Sequence, residues 1–477
     1  MKRTRIFLAR LGRRTVNIPN STPPMGILML AAYLRTRLDV DLMLMDQRCE
    51  NASVESVVRQ AVDFGANVVG LSVMTPYASL LGPLTQGLRA ALSDVFIVLG
   101  GSHVSAYAGF PDGALAGNSA DAAVSGEGEC AFEQVIRACQ AGADLTSIPG
   151  LLWRNGQGVI TLNPGAIPLV EEIDTLPFPA YDLIDIRKYW TVPPMGNLPK
   201  HKYLSFFSSR GCPCKCTYCH EVFGKRFRAY SPERLVAEIE HYTKLYGVTD
   251  IEFVDDIFNL DAKRVLAICD LIAKRNLKLR INFPNAIRTD ALTEEVVDAL
   301  VGAGLYHSCF ALESGSPRIQ KFMRKHLNID KFLQGVRWAI DRGVFAHGFT
   351  MLGFPTETEE DMQATVDVAC NSQLHSATFF TVVPFPGTEM YDYVAKHAPE
   401  KLKDISYDDS EYAGSRTNVS AVPDEVLFGY QRTAWRRFYM NPGRIARIVR
   451  GYPQPWSLPC FLPMFTIRAT KGLFARG

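Results

Sequence analysis

No run of apolar residues in this 477-residue chain approaches the length of about 18 that a membrane-spanning helix needs. The start is basic, but Arg10 interrupts its apolar stretch too early for a signal peptide, so a cytoplasmic location is expected. A charge excess is also lacking: 51 basic residues face 49 acidic ones, and a net charge of +2 gives no overall reason to invoke nucleic acid. The GxGxxG fingerprint of NAD-binding folds does not occur. Nor are the 11 cysteines spaced as a disulfide framework. Four lie between Cys212 and Cys219; Cys49, Cys130, Cys139, Cys269, Cys309, Cys370 and Cys460 are scattered and read as small core residues. One tight cluster in a long chain points to a metal site in a reducing compartment. What the chain has in quantity is apolar residues, at 47%, enough to fill the cores of two to four domains.

Residues 1–145 alternate short β-rich runs (Arg5–Ala9, Asp41–Met45, Val68–Val73, Phe96–Leu99, Ala122–Ser125) with amphipathic stretches (Gly26–Arg35, Val54–Phe64, Leu80–Leu92). That alternation predicts a parallel sheet covered on both faces, of flavodoxin-like fold, with a ligand at the carboxyl ends of its strands. Residues 146–200 read as a linker, with a hairpin over Gly150–Leu162 and then a proline-rich stretch. From 201 to 400 the alternation resumes, with strands expected at Leu204–Ser208, Ile251–Val254, Leu279–Phe283, Cys309–Glu313, His347–Leu352 and Thr378–Val383. Six units are too few for a closed eight-unit barrel and fit an open partial one. The first helix of this region is punctuated by Ser231, Pro232 and Gly247, with Leu235, Ile239, Tyr242 and Leu245 as its apolar face. Residues 401–477 form a last region, helical over 424–450. No acid follows Glu425, and nine basic residues are interleaved with Trp435, Phe438, Tyr439, Tyr452, Trp456, Phe461, Phe465 and Phe474.

Directly after the first strand of the second unit comes Ser208-Ser-Arg-Gly-Cys212-Pro-Cys214-Lys-Cys216-Thr-Tyr218-Cys219. Cys212, Cys216 and Cys219 make CxxxCxxC on a loop at a strand's carboxyl end, where such folds place chemistry. Three thiolates on an iron–sulfur cluster leave one iron open, the mark of a catalytic rather than a structural site. A structural zinc on all four cysteines is the alternative, but zinc knuckles are usually separated by a longer loop. Cys214 is either a bystander or an alternate ligand. The motif, with Tyr218 before its last cysteine, resembles the signature of the radical S-adenosylmethionine (SAM) superfamily. That resemblance implies a 4Fe–4S cluster on Cys212, Cys216 and Cys219 and SAM on the open iron. By the same resemblance Tyr218 lies near the adenine, Asp255 and Asp256 near the amino group, and Arg288, Glu313 and Ser314 among the remaining SAM contacts. Asp255 and Asp256 depart from the family's Gly-Gly-Glu pattern. Gly353-Phe-Pro-Thr-Glu357 and Pro384-Phe-Pro-Gly387-Thr are similar to the fifth- and sixth-strand motifs.

The front region resembles the cobalamin-binding domain of one large radical SAM class. Ser72-Val-Met-Thr75, Gly100-Gly101 and Gly126-Glu127-Gly-Glu129 match its cofactor-lining segments. Its Asp-x-His-x-x-Gly motif is missing, so no protein imidazole is expected on cobalt; His103 reads as an ordinary loop histidine. A degenerate domain that binds nothing is the alternative. The whole then reads as an α/β chain: a flavodoxin-like (Rossmann-like) cobalamin-binding domain, a partial (β/α)6 radical SAM barrel and a helical C-terminal cap. The resemblance implies a methyltransferase acting on an unactivated carbon or phosphorus of a small hydrophobic substrate, with an electron donor such as flavodoxin or ferredoxin. An oxidative cyclase of the anaerobic magnesium-protoporphyrin monomethyl ester type shares the layout, and an iron–sulfur electron carrier or regulator is a third reading. Arg436, Arg437, Arg444, Arg447 and Arg450 either lie on an anionic membrane surface, collecting substrate there, or solvate a helical cap over the barrel.

Overall fold

A computed structural model of the chain describes residues 3–15, 18–110, 112–196, 198–403, 405–408 and 417–459. Cys460, Phe461, Phe465 and Phe474 lie outside the described residues. The front sheet is built from β1 (Thr4–Arg10), β2 (Val40–Asp46), β3 (Val68–Ser72), β4 (Phe96–Gly100) and β5 (Ala122–Ala123), all parallel, in the order β2-β1-β3-β4-β5. This is the flavodoxin-like order, so ligands are expected at the carboxyl ends of β1 and β3, where the winding reverses. The expected hairpin is present as β6 (Leu152–Arg154) and β7 (Ile160–Leu162). It does not hang free, because β6 pairs antiparallel with β5 and extends the front sheet to seven strands.

The second sheet is open and all parallel, in the order β15-β14-β13-β12-β11-β8. Its strands are β8 (Tyr203–Phe206), β11 (Asp250–Phe253), β12 (Arg280–Ile287), β13 (Leu305–Glu313), β14 (Phe345–Leu352) and β15 (Ser376–Thr381). Between β8 and β11 a two-residue pair, β9 (Ser209–Arg210) and β10 (Arg228–Ala229), runs antiparallel and closes the base of the cysteine loop. Alternation sorts the side chains. Leu204, Phe206, Ile251, Phe253, Ile281, Phe283 and Phe379 join the helix-covered core, while Ser205, Glu252, Asn282, His307 and His347 face the lumen.

Capping behaves as the sequence requires: Ser231 accepts from the Arg234 N–H, Pro232 opens the helix Pro232–Tyr246, and Gly247 ends it at φ +60°. Leu245 is 60% exposed, however, against the expectation. At 100° per residue it is rotated off the Leu235–Ile239–Tyr242 stripe, and Tyr246 packs in its place beside Tyr181. The helix Met25–Arg37 also differs from its amphipathic expectation. Met25, Ile27, Leu28, Met29, Ala31, Ala32, Tyr33 and Leu34 are all buried, so it is apolar nearly all round. It packs on β1 and β2 on one side. On the other, Leu28 O accepts from the Ala180 N–H at 3.0 Å and the Met25 sulfur accepts from Tyr181 OH at 3.2 Å.

The C-terminal helices Asp424–Tyr439 and Pro442–Gly451 cap the barrel beside β15. Leu427, Ala434 and Phe438 are buried, and Trp435 lies edge-on to Phe379. Three of the five arginines read as lying on a membrane surface or solvating a helical cap are engaged in this packing. Arg444 is 3% exposed and donates to the carbonyls of Leu374, Cys370 and Ser372; Arg447 donates to Gln373 O and Arg437 pairs with Asp367. Helix-end carbonyls need donors, and these guanidinium groups supply them. Among the described residues, no helix is long and apolar enough to cross a membrane.

Candidate functional site

The cysteine loop leaves β9 through Gly211, at φ +80°, where a Cβ would collide with Arg226 O, so only glycine fits. The Cys212 N–H donates to Gly224 O at 3.3 Å and the Cys219 N–H to Cys216 O at 3.2 Å. Thr217 braces the loop against the far side of the barrel, donating to Met323 O at 3.0 Å and accepting from the Met390 N–H at 2.8 Å. Cys212, Cys214 and Cys216 are half-buried and Cys219 is exposed. The thiols stand as two pairs, Cys212 with Cys214 and Cys216 with Cys219. Among the described residues, no three histidine, cysteine or carboxylate groups are gathered into a ready metal cage.

The chemistry of the donor set fits an iron–sulfur cluster. Cys216 is pulled down to about 7 by its bond from Cys219 and by the cations of Lys325 and Arg288. Cys214 is pulled down to about 6 by its bond from Cys212 and by Arg288, whose Nη1 lies 2.8 Å from the sulfur. Cys212 and Cys219, the donors of those two bonds, are raised in turn, so one thiol of each pair is held toward the thiolate that ligates metal. Cys212, Cys216 and Cys219 would hold the cluster.

Beside these thiols the structure gathers Tyr218, Glu313 and Arg288. Tyr218 OH donates to Glu313 Oε1 at 3.3 Å, and Lys325 Nζ donates to the same oxygen at 3.1 Å. Glu313 sits at φ +59°, just past a register break in β13 between Ala311 and Glu313. A bulge that re-aims a side chain and a left-handed non-glycine residue both belong at a functional site. Arg288 also pairs with Asp290 at 2.9 Å and donates to Lys325 O. Asp256 keeps an open face, and its carboxyl is pushed up to about 6 by the enclosing walls and then by Asp255. Asp255 lies deeper: one oxygen accepts from Ser208 N–H, Ser208 Oγ and Ser209 Oγ, while Oδ2 is buried without a partner. Ser314 turns inward, its hydroxyl engaged with Thr365 Oγ1 and the Ser316 N–H.

At the front sheet, the exits of β3 and β4 press together. The Val73 N–H donates to Gly100 O at 3.0 Å, and Leu11 N–H donates to Ser72 O at 2.8 Å. Gly101, at φ +93°, leaves no room for a Cβ, which would lie 2.7 Å from Val73 O. Thr75 is buried with its Oγ1 3.4 Å from His103 Nδ1, and burial pushes that imidazole down to about 4, so it is neutral. Gly126, at φ +74°, donates its N–H to Ser105 Oγ at 2.8 Å. Gly101 thus lets the exits of β3 and β4 close on each other, and the edge they form, made of backbone and neutral side chains, fits a large flat ligand such as cobalamin. Glu127 lies behind them, with both oxygens in ion pairs to Arg210 and Arg228.

The two edges face each other. A Cβ on Gly126 would come within 3.4 Å of Val222 O in the cysteine loop, and one on Gly387, in the sixth-strand loop, would collide with Ala106 O of the front domain. Lys325 belongs to this site and carries no sequence signal. Lys325 lies 106 residues beyond Cys219 in the numbering, between two left-handed residues, Arg324 and His326.

Comparison with known proteins places families on both sheets. A model of the Radical SAM superfamily matches residues 206–369, and one of the B12 binding domain matches residues 14–136. An uncharacterized methyltransferase of Pyrococcus horikoshii is 31% identical over 88% of each chain. Cytidylyl-2-hydroxyethylphosphonate methyltransferase of Streptomyces wedmorensis is 25% identical over 78% of each. Anaerobic magnesium-protoporphyrin IX monomethyl ester cyclase of Rubrivivax gelatinosus is 22% identical over 89% of this chain and 75% of its own. The fold is shared with the radical SAM methyltransferase TsrM from Kitasatospora setae, at a TM-score of 0.70, 17% identity, and coverage of 93% of this chain and 90% of that one. The cofactors that go with the two families are a 4Fe–4S cluster, SAM and cobalamin.

Proposed function

Because the chain belongs to the cobalamin-binding radical SAM family, we propose that it methylates an unactivated carbon or phosphorus atom of a hydrophobic small molecule. The observation that carries this reading is the opposition of the two carboxyl edges, with Gly126 against Val222 and Gly387 against Ala106. When bound, the cluster and SAM supply a hydrogen-abstracting 5′-deoxyadenosyl radical, and cobalamin supplies the methyl group. The chain's own contribution is placement. Cys212, Cys216 and Cys219 hold the cluster position; Tyr218, Glu313 and Lys325 form a hydrogen-bonded rim for SAM; Gly100, Gly101 and Gly126 let the front backbone approach cobalamin.

The lumen supports an apolar substrate. Phe349, Met351 and Phe380 are half-buried on its wall, on the face that carries His347. Below them Glu252 and His307 are uncharged near neutral pH, because burial lifts the Glu252 carboxyl to about 8 and depresses His307 to about 3. The next ions on that face, Asp250 and Arg280, are paired with each other at 3.0 Å. The cyclase reading keeps one supporting observation, the 22% identity to the Rubrivivax gelatinosus enzyme over most of this chain.

Peripheral membrane contact rests on a second face. The helix Pro442–Gly451 buries Arg444 and turns Ile445 and Val449 outward, 47% and 52% exposed, with Met440 at 70% and Trp456 at 77% nearby. Arg436 and Arg450 flank this face. It lies by Phe345 and His375, at the strand-start end of the barrel, away from the cysteine loop. Substrate collection at the tail is therefore not part of the proposal. Ile445→Asp/Val449→Asp should lower flotation with phosphatidylserine vesicles; equal flotation of the two proteins would exclude the contact.

The function is tested anaerobically. Protein reconstituted with iron, sulfide and hydroxocobalamin is reduced with SAM present, and 5′-deoxyadenosine and S-adenosylhomocysteine are measured. Both products together are expected of the methyltransferase. Deoxyadenosine without S-adenosylhomocysteine would turn the assignment to the cyclase.

A further inference from the structure

Four charged side chains that the chemistry above does not use are buried together where the two domains meet. Arg210 lies on β9, two residues before Cys212, and Arg228 lies opposite it on β10. Glu127 and Glu129 flank Gly128 at the exit of β5. Arg210 Nη2 is 2.6 Å from Glu129 Oε1 and its Nη1 is 3.1 Å from Glu127 Oε2. Arg228 pairs with Glu127 Oε1 and donates to Val170 O at 2.7 Å and Phe223 O at 3.1 Å. Glu127 Oε2 also accepts the Val170 N–H at 3.0 Å. None of the four is more than 5% exposed, and their formal charges cancel.

We infer that these residues are positioning residues, forming a clamp that sets the separation and tilt between the cobalamin-binding edge and the cysteine loop. This rests on the proposal that both cofactors act on one substrate. A buried ion pair gains little stability over apolar packing of the same volume, so stability alone is a poor account of four such charges. Hydrogen bonds between guanidinium and carboxylate groups are directional, and they fix distance and angle in a way that packed methyl groups do not. The placement matches that role. The arginines stand at the two feet of the cysteine loop, and the glutamates stand on the front loop that carries Gly126. A shift of either loop must break or bend these bonds. Two-cofactor chemistry needs that rigidity, since small misplacements of reacting groups are costly in rate.

The test uses the full-length protein carrying cluster and cobalamin. In Glu129→Gln, near-isosteric but uncharged, iron and cobalamin contents should match the parent. The electron-spin dipolar coupling between the reduced cluster and cob(II)alamin should shift and broaden. An unchanged coupling in Glu129→Gln with both cofactors bound overturns the clamp. Should that variant fail to fold, Arg228→Lys keeps the charge and loses the planar spread of donors to Glu127, Val170 O and Phe223 O; an unchanged coupling there overturns it equally. A parent enzyme that shows the coupling but yields no S-adenosylhomocysteine would fail the methyltransferase reading and leave the clamp standing.

Discussion

Along the carboxyl edge of the front sheet, the groups nearest the shared space are backbone and small or neutral side chains: Gly100, Gly101, Thr75, the neutral His103 and Gly126. The barrel edge opposite presents charge and sulfur: four thiols, Arg288, Lys325, Glu313 and Asp256. Both edges come from parallel α/β sheets, so the fold does not dictate the difference. The ligands do. A large rigid ring is gripped by shape, and glycine lets the chain come close to it. A cluster and a zwitterionic cosubstrate are gripped by charge, and their partners must be ionic and correctly aimed.

Breaking the charged edge should have the largest effect. Cys216→Ala removes one of the three proposed cluster ligands, and deoxyadenosine formation should fall to background with low iron per chain, while cobalamin retention is kept. Loss of both cofactors at once would mean that the edges do not load separately. Breaking the shape-built edge comes next. Gly101→Ala places a methyl group against Val73 in a left-handed backbone, which costs about 1–3 kcal/mol in conformation before the clash. Cobalamin retention should drop with iron content unchanged, and normal retention would mean that the cradle is not where cobalamin sits.

The smallest effect sharpens the comparison from below. Glu252, on the lumen floor, accepts from Ser205 Oγ at 2.8 Å, and burial raises its carboxyl to about 8 in the folded chain. The phenols of Tyr181, Tyr203 and Tyr306 are its titratable neighbours. The unfolded chain releases this proton near the ordinary carboxylate value of about 4.3. The folded state therefore binds more protons between those values, and stability is lost as pH rises through the window. Glu252→Gln keeps the neutral form at every pH. Its stability advantage in denaturant melts should grow from about pH 5 to pH 8, and a constant difference would mean that the floor is already ionised.

Period and punctuation made much of this legible in the sequence. The strand cores of both sheets, the Ser231–Gly247 helix boundaries and the six-unit open barrel follow from local patterns. CxxxCxxC is likewise local, since one loop carries all three proposed ligands. What stayed hidden depends on partners far along the chain. Arg210 meets Glu129 across 81 residues with no shared periodicity. Arg444 looks like a surface cation until the carbonyls of Cys370, Ser372 and Leu374 are brought beneath it. Asp255 reads as a contact to the SAM amino group, and the sequence does not show that one of its oxygens holds Ser208 and Ser209. In each case tertiary contact decides what a polar residue does.

The helix Met25–Arg37 has a consequence for how such chains can be rearranged. One side of it closes the front sheet, and the other is covered by the segment around Ala180 and Tyr181, which in turn packs on the barrel helix Pro232–Tyr246. A front half excised before that segment would carry a bare apolar stripe including Met25 and Leu28. The halves are therefore not interchangeable cassettes: a graft of this front sheet onto another barrel must bring the 176–190 strap with it, or present a matching surface of its own.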